Sequence, residues 1–315
     1  MTTHLYPELD VTSWEVAEFE PLGSKPNKYW LLEPSTAEVG SEDRAKWLFK
    51  PRTIQPPPEN VPKGDDWAEK VAGEIARELQ LPAARIELAQ RGVALGIISG
   101  DVSVGWDLVL GNVVLFEHDP SYPRDERRRV PGYTVEAIYA ALQELGVEPP
   151  PGSPLDQDAC SVFASYLVLD GLIGNTDRHH KNWGVLDDPT SPRLLAPTFD
   201  HASSLGFLLS DEQRNQRLDA TDPNQTVEAY ARRGRSQYFA GSPTLIELAA
   251  AAVQACSNPA AGDWFTRITE YSLDSFDAIL DRMPDARMSQ SSRMFARRLL
   301  AENRRRLLDE LDRAR

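Results

Sequence analysis

Apolar positions in the first half of the chain fall in short runs separated by turn residues. Lys28-Tyr-Trp-Leu-Leu-Glu33 and Ala45-Lys-Trp-Leu-Phe-Lys50 are rich in aromatic and aliphatic side chains and predict strands, as does Ser13–Glu18. Pro21-Leu-Gly-Ser-Lys-Pro26 between them reads as a turn. The prolines of residues 51–66 forbid a helix and predict a loop. Trp67, Val71, Ile75 and Leu79 then recur at four-residue spacing, which predicts a helix over Asp66–Leu81. Asp65 or Asp66 would cap this helix, and Pro82 would end it. Further strands are expected at Arg85–Ala89, Val93–Ser99 and Asn112–Phe116.

After Pro120 and Pro123 the period changes to that of helices. Val135–Leu145 is predicted helical, and the proline-rich stretch 148–154 is a turn. Gln157–Ile173 is apolar on every face, which places it in the core of a second lobe. Thr244 and Glu247 form a capping box for a helix to Ala255, and helices over Ser272–Arg282 and Ser292–Arg315 follow. The expected fold is therefore α+β in two lobes, a strand-rich part over residues 1–119 and a helical part over 120–315. The arginine-rich last helix reads as a solvated face with pairs such as Glu302–Arg306.

Composition narrows the function. The chain has 315 residues, 41% of them hydrophobic and 26% charged, an ordinary globular balance. Its net charge of −14 argues against direct nucleic-acid binding, which needs a basic surface. Lysine is scarce: six of the seven precede residue 71, and Lys181 stands alone in a histidine-rich stretch. Cys160 and Cys256 are too far apart for a metal or redox motif and read as reduced thiols. The N-terminus has no signal-peptide pattern, and the longest apolar runs fall far short of the ~20 residues that span a bilayer. A cytoplasmic protein without membrane contact is expected.

Chemistry concentrates in Gly174-Asn-Thr-Asp177-Arg-His179-His-Lys181-Asn182-Trp-Gly and in Phe199-Asp200-His201. Phosphoryl transfer to a hydroxyl needs a carboxylate for the hydroxyl proton, hard oxygen ligands for magnesium and a cation near the phosphates. Asp177 can be that carboxylate, Asn182 and Asp200 the metal ligands, and Lys181 the cation. The five-residue step from Asp177 to Asn182 equals that of kinase catalytic loops. In the first lobe, Gly23-Ser24 supplies a phosphate turn, Lys50 closes a strand as the phosphate lysine, and Glu69 is its helix partner. Glu117, at the end of the last predicted strand, would sit where backbone groups read adenine.

Asp177-Arg-His-His-Lys-Asn182 together with Phe199-Asp200 resembles the catalytic region of the HipA-like serine/threonine kinases. Trp67-Ala-Glu69-Lys-Val to Leu79-Gln-Leu-Pro82 is similar to that family's first-lobe helix, with Gln80 replacing the usual glycine. The resemblance implies a two-lobed protein-kinase-like fold, ATP and Mg2+, a protein substrate and an antitoxin protein partner. It implies catalytic roles for Asp177 and Lys181, metal ligation by Asn182 and Asp200, and phosphate binding by Lys50 paired with Glu69. The chain looks like the shorter members, without the extra N-terminal subdomain of the long ones.

Two other readings stand beside this one. His179, His180 and His201 lie within 23 positions and could serve a metal-dependent hydrolase, although no HExxH spacing is present. A nucleotide-binding pseudokinase would retain the fold without turnover. In the kinase reading His179 braces the loop, His180 faces solvent or packs in it, and Arg178 contacts phosphate or pairs with an acid.

Overall fold

The computed structural model describes residues 4–17, 28–34, 44–58, 60–126 and 128–314. The predicted turn holding Gly23 and Ser24 lies outside the described residues. In chain order the elements of the first lobe are β1 (Glu8–Asp10), β2 (Glu15–Val16), β3 (Tyr29–Leu32), β4 (Lys46–Pro51), α1 (Asp65–Glu78), β5 (Ile86–Arg91) and β6 (Ala94–Gly100). Its strands form one sheet in the order β1-β5-β6-β4-β3-β2, antiparallel except for β1 beside β5. Strand alternation then decides where Lys50 points. Trp47 and Phe49 bury against Val11, Leu31, Ala89 and Ile98 on one face, so Lys50 lies on the opposite face, under α1. At Gly96 of β6 a Cβ would lie 2.2 Å from the Lys50 carbonyl oxygen, so only glycine permits this strand pairing.

The helix α1 forms as its spacing predicts, but its cap differs. Gly64 occupies the N-cap without a side-chain bond. Asp65 accepts from the Thr53 amide, and Asp66 accepts from Arg52 and Arg287. At the other end Leu81 N donates to Ala76 O at 2.8 Å and Gln80 N to Arg77 O at 3.0 Å, a Schellman motif. Gln80 takes φ +57 there, the left-handed conformation that glycine favours.

In a separate sheet β7 (Asp107–Leu110) pairs with β8 (Gly184–Asp187), which pairs with β9 (Leu194–Leu195). Asn112–Phe116 corrects another expectation. It is part of helix α2 (Gly111–His118) and not a strand. Helices α3 (Val135–Glu144) and α4 (Ala159–Ile173) follow, then α5 (Asp211–Leu218), α6 (Val227–Arg232), α7 (Leu245–Ala255), α8 (Asp263–Glu270), α9 (Leu273–Asp281) and α10 (Gln290–Ala314). The arginines of α10 form the expected solvated face only in part: Arg305 is exposed and pairs with Asp309 at i,i+4, while others turn to neighbouring elements. Arg298 clamps Glu228, Arg304 donates to Ile268 O and Thr269 O, and Glu302 pairs with Arg305 and Arg232. No helix among the described residues is long and apolar enough to cross a membrane.

Candidate active site

Helix α4 is buried along its whole length, and it carries one acid, Asp170. A charge in such a place needs a partner. Arg178 supplies it through a bidentate contact, Nε to Oδ2 at 2.7 Å and Nη2 to Oδ1 at 2.9 Å, with both side chains 2% exposed. Gly174 ends α4 at φ +70, a conformation available to glycine, and turns the chain into the loop. Asn175 donates to Asp170 Oδ1 at 2.7 Å, and its own oxygen accepts the Asp177 amide at 3.1 Å. Arg178 Nη1 then donates to Asn182 O and to Phe199 O. One buried guanidinium thus ties the helix to both segments that carry candidate site residues. Asp170 and Asn175 escaped the sequence reading; the one acid within an apolar helix was the available signal.

Within the loop, Asn182 Nδ2 donates to Asp177 O at 2.8 Å, which leaves the Asn182 side-chain oxygen without a protein donor among the described residues. The Asp177 carboxylate accepts from Ser203 Oγ at 3.3 Å, and burial together with nearby Asp177 raises the pKa of the Tyr238 phenol. His179 Nδ1 accepts the Lys181 amide at 3.1 Å, and its ring meets Tyr238 edge-on at 5.1 Å. Burial keeps His179 below the ordinary histidine value, against the pull of Asp177 and Asp200. Lys181 is half-buried beside it.

The other half of the site comes from the first lobe. Lys50 Nζ lies 2.8 Å from Glu69 Oε1 and 3.3 Å from Asp200 Oδ1. Asp200 reaches this point because Thr198 pairs with the chain ahead of β5: Ala84 N donates to Thr198 O, and Thr198 N to Pro82 O. Burial opposes the charge on Lys50, yet Asp200 and Glu69 hold its pKa above the ordinary lysine value. Burial likewise opposes an ionised Asp200, and Lys50 followed by Lys28 overcomes it and holds the carboxyl well below the usual range. Glu69 is raised by burial, with Lys50 pulling the other way. Lys28 therefore faces the same cleft as Lys50, a role the sequence did not signal. Asp200 sits at φ +61, an uncommon conformation for a residue with a Cβ. Such strain gathers at functional sites.

The histidines diverge rather than converge. His180 Nδ1 pairs with the Tyr122 hydroxyl at 2.8 Å, between the edges of Tyr122 and Tyr133, and burial lowers its pKa to about 4. It packs in the loop and does not face solvent. His201 Nε2 pairs with Thr198 Oγ1 at 2.9 Å in the core, where burial and Arg178 keep it neutral. No group of three or more His, Cys, Asp and Glu residues able to hold a metal occurs among the described residues. Glu117 is placed differently from the expectation too. It lies near the end of α2 and forms an ion pair with Arg193 at 2.9 Å.

A lysine–glutamate pair under a five-stranded antiparallel run plus one parallel edge, facing a helical lobe with two acid-bearing loops, defines a two-lobed kinase-like α+β fold. The chain belongs to the HipA-like C-terminal domain family, whose sequence profile matches residues 27–264. The fold is similar to the crystal structure of a Helicobacter pylori proinflammatory kinase, CtkA, at TM-score 0.69 and 19% identity, covering 98% of each chain. It is also similar to HipA of the Shewanella oneidensis MR-1 toxin–antitoxin system, solved with HipB and operator DNA, at TM-score 0.50 and 12% identity. That match covers 98% of this chain and 67% of the other. No curated protein sequence matches the chain.

Proposed function

We propose that this protein is an ATP- and Mg2+-dependent kinase that transfers a phosphoryl group to a serine or threonine hydroxyl of a protein. The observation that carries the reading is Lys50, held between Glu69 and Asp200 within hydrogen-bond reach of both. This joins a phosphate-binding lysine to its helix partner and to a metal-binding carboxylate, the arrangement phosphoryl transfer requires. The donor set suits Mg2+: the ionised Asp200 carboxylate and the unengaged Asn182 amide oxygen are hard oxygen ligands. When bound, the ion supplies neutralisation of charge on the phosphate oxygens.

The chain's own groups do the rest. Lys50 and Lys28 attract the nucleotide phosphates, and Glu69 keeps Lys50 aimed along the cleft. Asp177 orients the acceptor hydroxyl and takes its proton; Ser203 already donates an O–H to that carboxylate. Lys181 offsets charge at the transferring group, while His179 holds the Lys181 backbone in place. The 101–106 connection between β6 and β7, where the sheets change over, serves as the hinge and adenine side in place of Glu117. Gly23 and Ser24 remain assigned to the phosphate turn. We further propose a cytoplasmic location and a separate antitoxin chain as partner, by likeness to the HipA–HipB structure.

Radiolabelled ATP with host lysate tests the reading. Wild type is expected to label a protein band only with Mg2+, and Asp177→Asn or Asp200→Asn lowers the rate at least about a hundredfold. Asp177→Asn keeps the wild-type thermal midpoint without nucleotide, and Asp200→Asn stays folded with a lower midpoint because Lys50 loses one of its two carboxylates. Label found solely in lipid extracts, or unchanged labelling by Asp177→Asn, overturns the proposal.

A further inference from the structure

Beside the catalytic loop lies a basic cavity that phosphoryl transfer itself does not use. Arg128, Arg129 and Arg235 line it with Ser236, Gln237 and Ser242, around a volume of about 240 Å³. The protein carries 48 acidic residues, and several arginines of the last helix are taken up by ion pairs such as Arg297–Asp277 and Arg298–Glu228. Among the described residues none of the three cavity arginines has a carboxylate within ion-pair distance; Arg235 Nη1 donates to Ser242 O at 2.9 Å. Two wall residues, Arg129 at φ +48 and Ser242 at φ +46, hold the left-handed conformation despite their side chains. Strain of this kind persists where the surroundings impose it, often at ligand sites.

The cavity wall is continuous with the reaction centre. Gln237 N donates to Thr176 O at 3.4 Å, directly ahead of Asp177. The next residue, Tyr238, meets the ring of His179 edge-on at 5.1 Å within the same loop. On the far side, Arg129 N and Val130 N donate to Gln237 O and Tyr238 O. The cavity thus lies next to the loop of Asp177 and offers three guanidinium groups without a carboxylate partner among the described residues. Such groups bind carboxylate and phosphate with charge-assisted, forked hydrogen bonds.

We propose that this cavity is a substrate-specificity subsite that receives an anionic side chain, carboxylate or phosphate, of the protein acceptor a few residues from the phosphorylated hydroxyl. This rests on the phosphotransfer reading of Asp177. On a chain of net charge −14, a local basic pocket admits an acidic segment in one register and repels it elsewhere.

The test uses the full chain and fluorescence polarisation with three labelled peptide pools. Each pool has a central serine, flanked at varied positions by glutamate, by phosphoserine or by glutamine. Wild type and Asp177→Asn are expected to bind the glutamate or the phosphoserine pool at least about tenfold tighter than the glutamine pool. The combination Arg128→Ala, Arg129→Asn and Arg235→Ala reduces that preference to about twofold or less, the residue of unspecific attraction. Asparagine is chosen at 129 because it tolerates positive φ. The exposed Arg85→Ala serves as control and keeps the preference. Equal binding of the three pools by wild type, or an undiminished preference in the triple variant, overturns the subsite. Failure of the kinase reading shows separately, as labelling that survives Asp177→Asn.

Discussion

Arg178 brings a charge into a place where its side chain is 2% exposed, and Asp170 meets it there with the same exposure. From the sequence the residue was open to two roles, phosphate contact or pairing with an acid. The geometry selects the second, since both oxygens of Asp170 and the carbonyls of Asn182 and Phe199 absorb its donors. Removing one member of a buried pair strands the other, which costs about 3–5 kcal/mol. Arg178→Met is therefore expected to lower the unfolding free energy measured by urea denaturation by that amount, with the effect present in the absence of nucleotide. A phosphate-contacting role would instead leave the midpoint unchanged and raise only the KM for ATP. Lys50 and Glu69 were legible because few residue types serve their purpose and the strand and helix carrying them are strongly patterned. Lys28 was not, because its charge reaches Asp200 only through the folding of the sheet.

Among the elements, α1 shows both how far periodicity reads and where it stops. Trp67, Val71 and Ile75 are buried as their spacing requires. Its termini obey tertiary demands as well: Asp65 accepts from Thr53, and Asp66 accepts the Trp67 amide with one oxygen while giving the other to Arg52 and Arg287. At the C-terminal end the exposed Gln80 pays a conformational penalty at φ +57 in an otherwise complete Schellman motif. Gln80→Gly is expected to stabilise the protein by about 0.5–1 kcal/mol, the left-handed penalty less the added freedom of the unfolded chain. Calorimetry that found a lower melting temperature would contradict this. For α2 the run Asn112–Phe116 is too short for its period to separate strand from helix. The deciding contacts lie far away in sequence, where Gly111 N donates to Trp183 O and Asn112 N to His180 O.

Across the whole molecule the two lobes share their largest apolar cluster. Trp67, Val71 and Ile75 of α1 belong to the same buried group as Leu172 of α4 and Phe295, Leu299 and Leu307 of α10. A polar clamp reinforces it. Arg287, between α9 and α10, is fully buried and reaches Asp66 at 3.0 Å, Glu8 at 2.9 Å and the carbonyls of Ala89 and Gly96. Asp66 lies one turn before Glu69, so the C-terminal part of the chain fixes the helix that holds Lys50. Arg287→Met is expected to cost about 3 kcal/mol, the lower end for a broken buried pair, because Arg52 still compensates Asp66 while the carbonyls of Ala89 and Gly96 lose their donor. In Asp66→Asn/Arg287→Met the loss is smaller than the sum of the single effects, because each single change already breaks the contact the two residues share. Urea midpoints of the four proteins give the coupling; strictly additive losses would show that the clamp carries no shared energy.

Local pattern alone determined most helices, the strands around Lys50, and the spacing of Asp177, Asn182 and Asp200, since these depend on neighbours a few residues away. Tertiary structure decided which charges meet. The partnership of Asp170 with Arg178, the approach of Lys28 to the cleft and the gathering of Arg128, Arg129 and Arg235 beside Asp177 join distant segments. No periodicity encodes them, because a buried charge finds its partner through space and not along the chain.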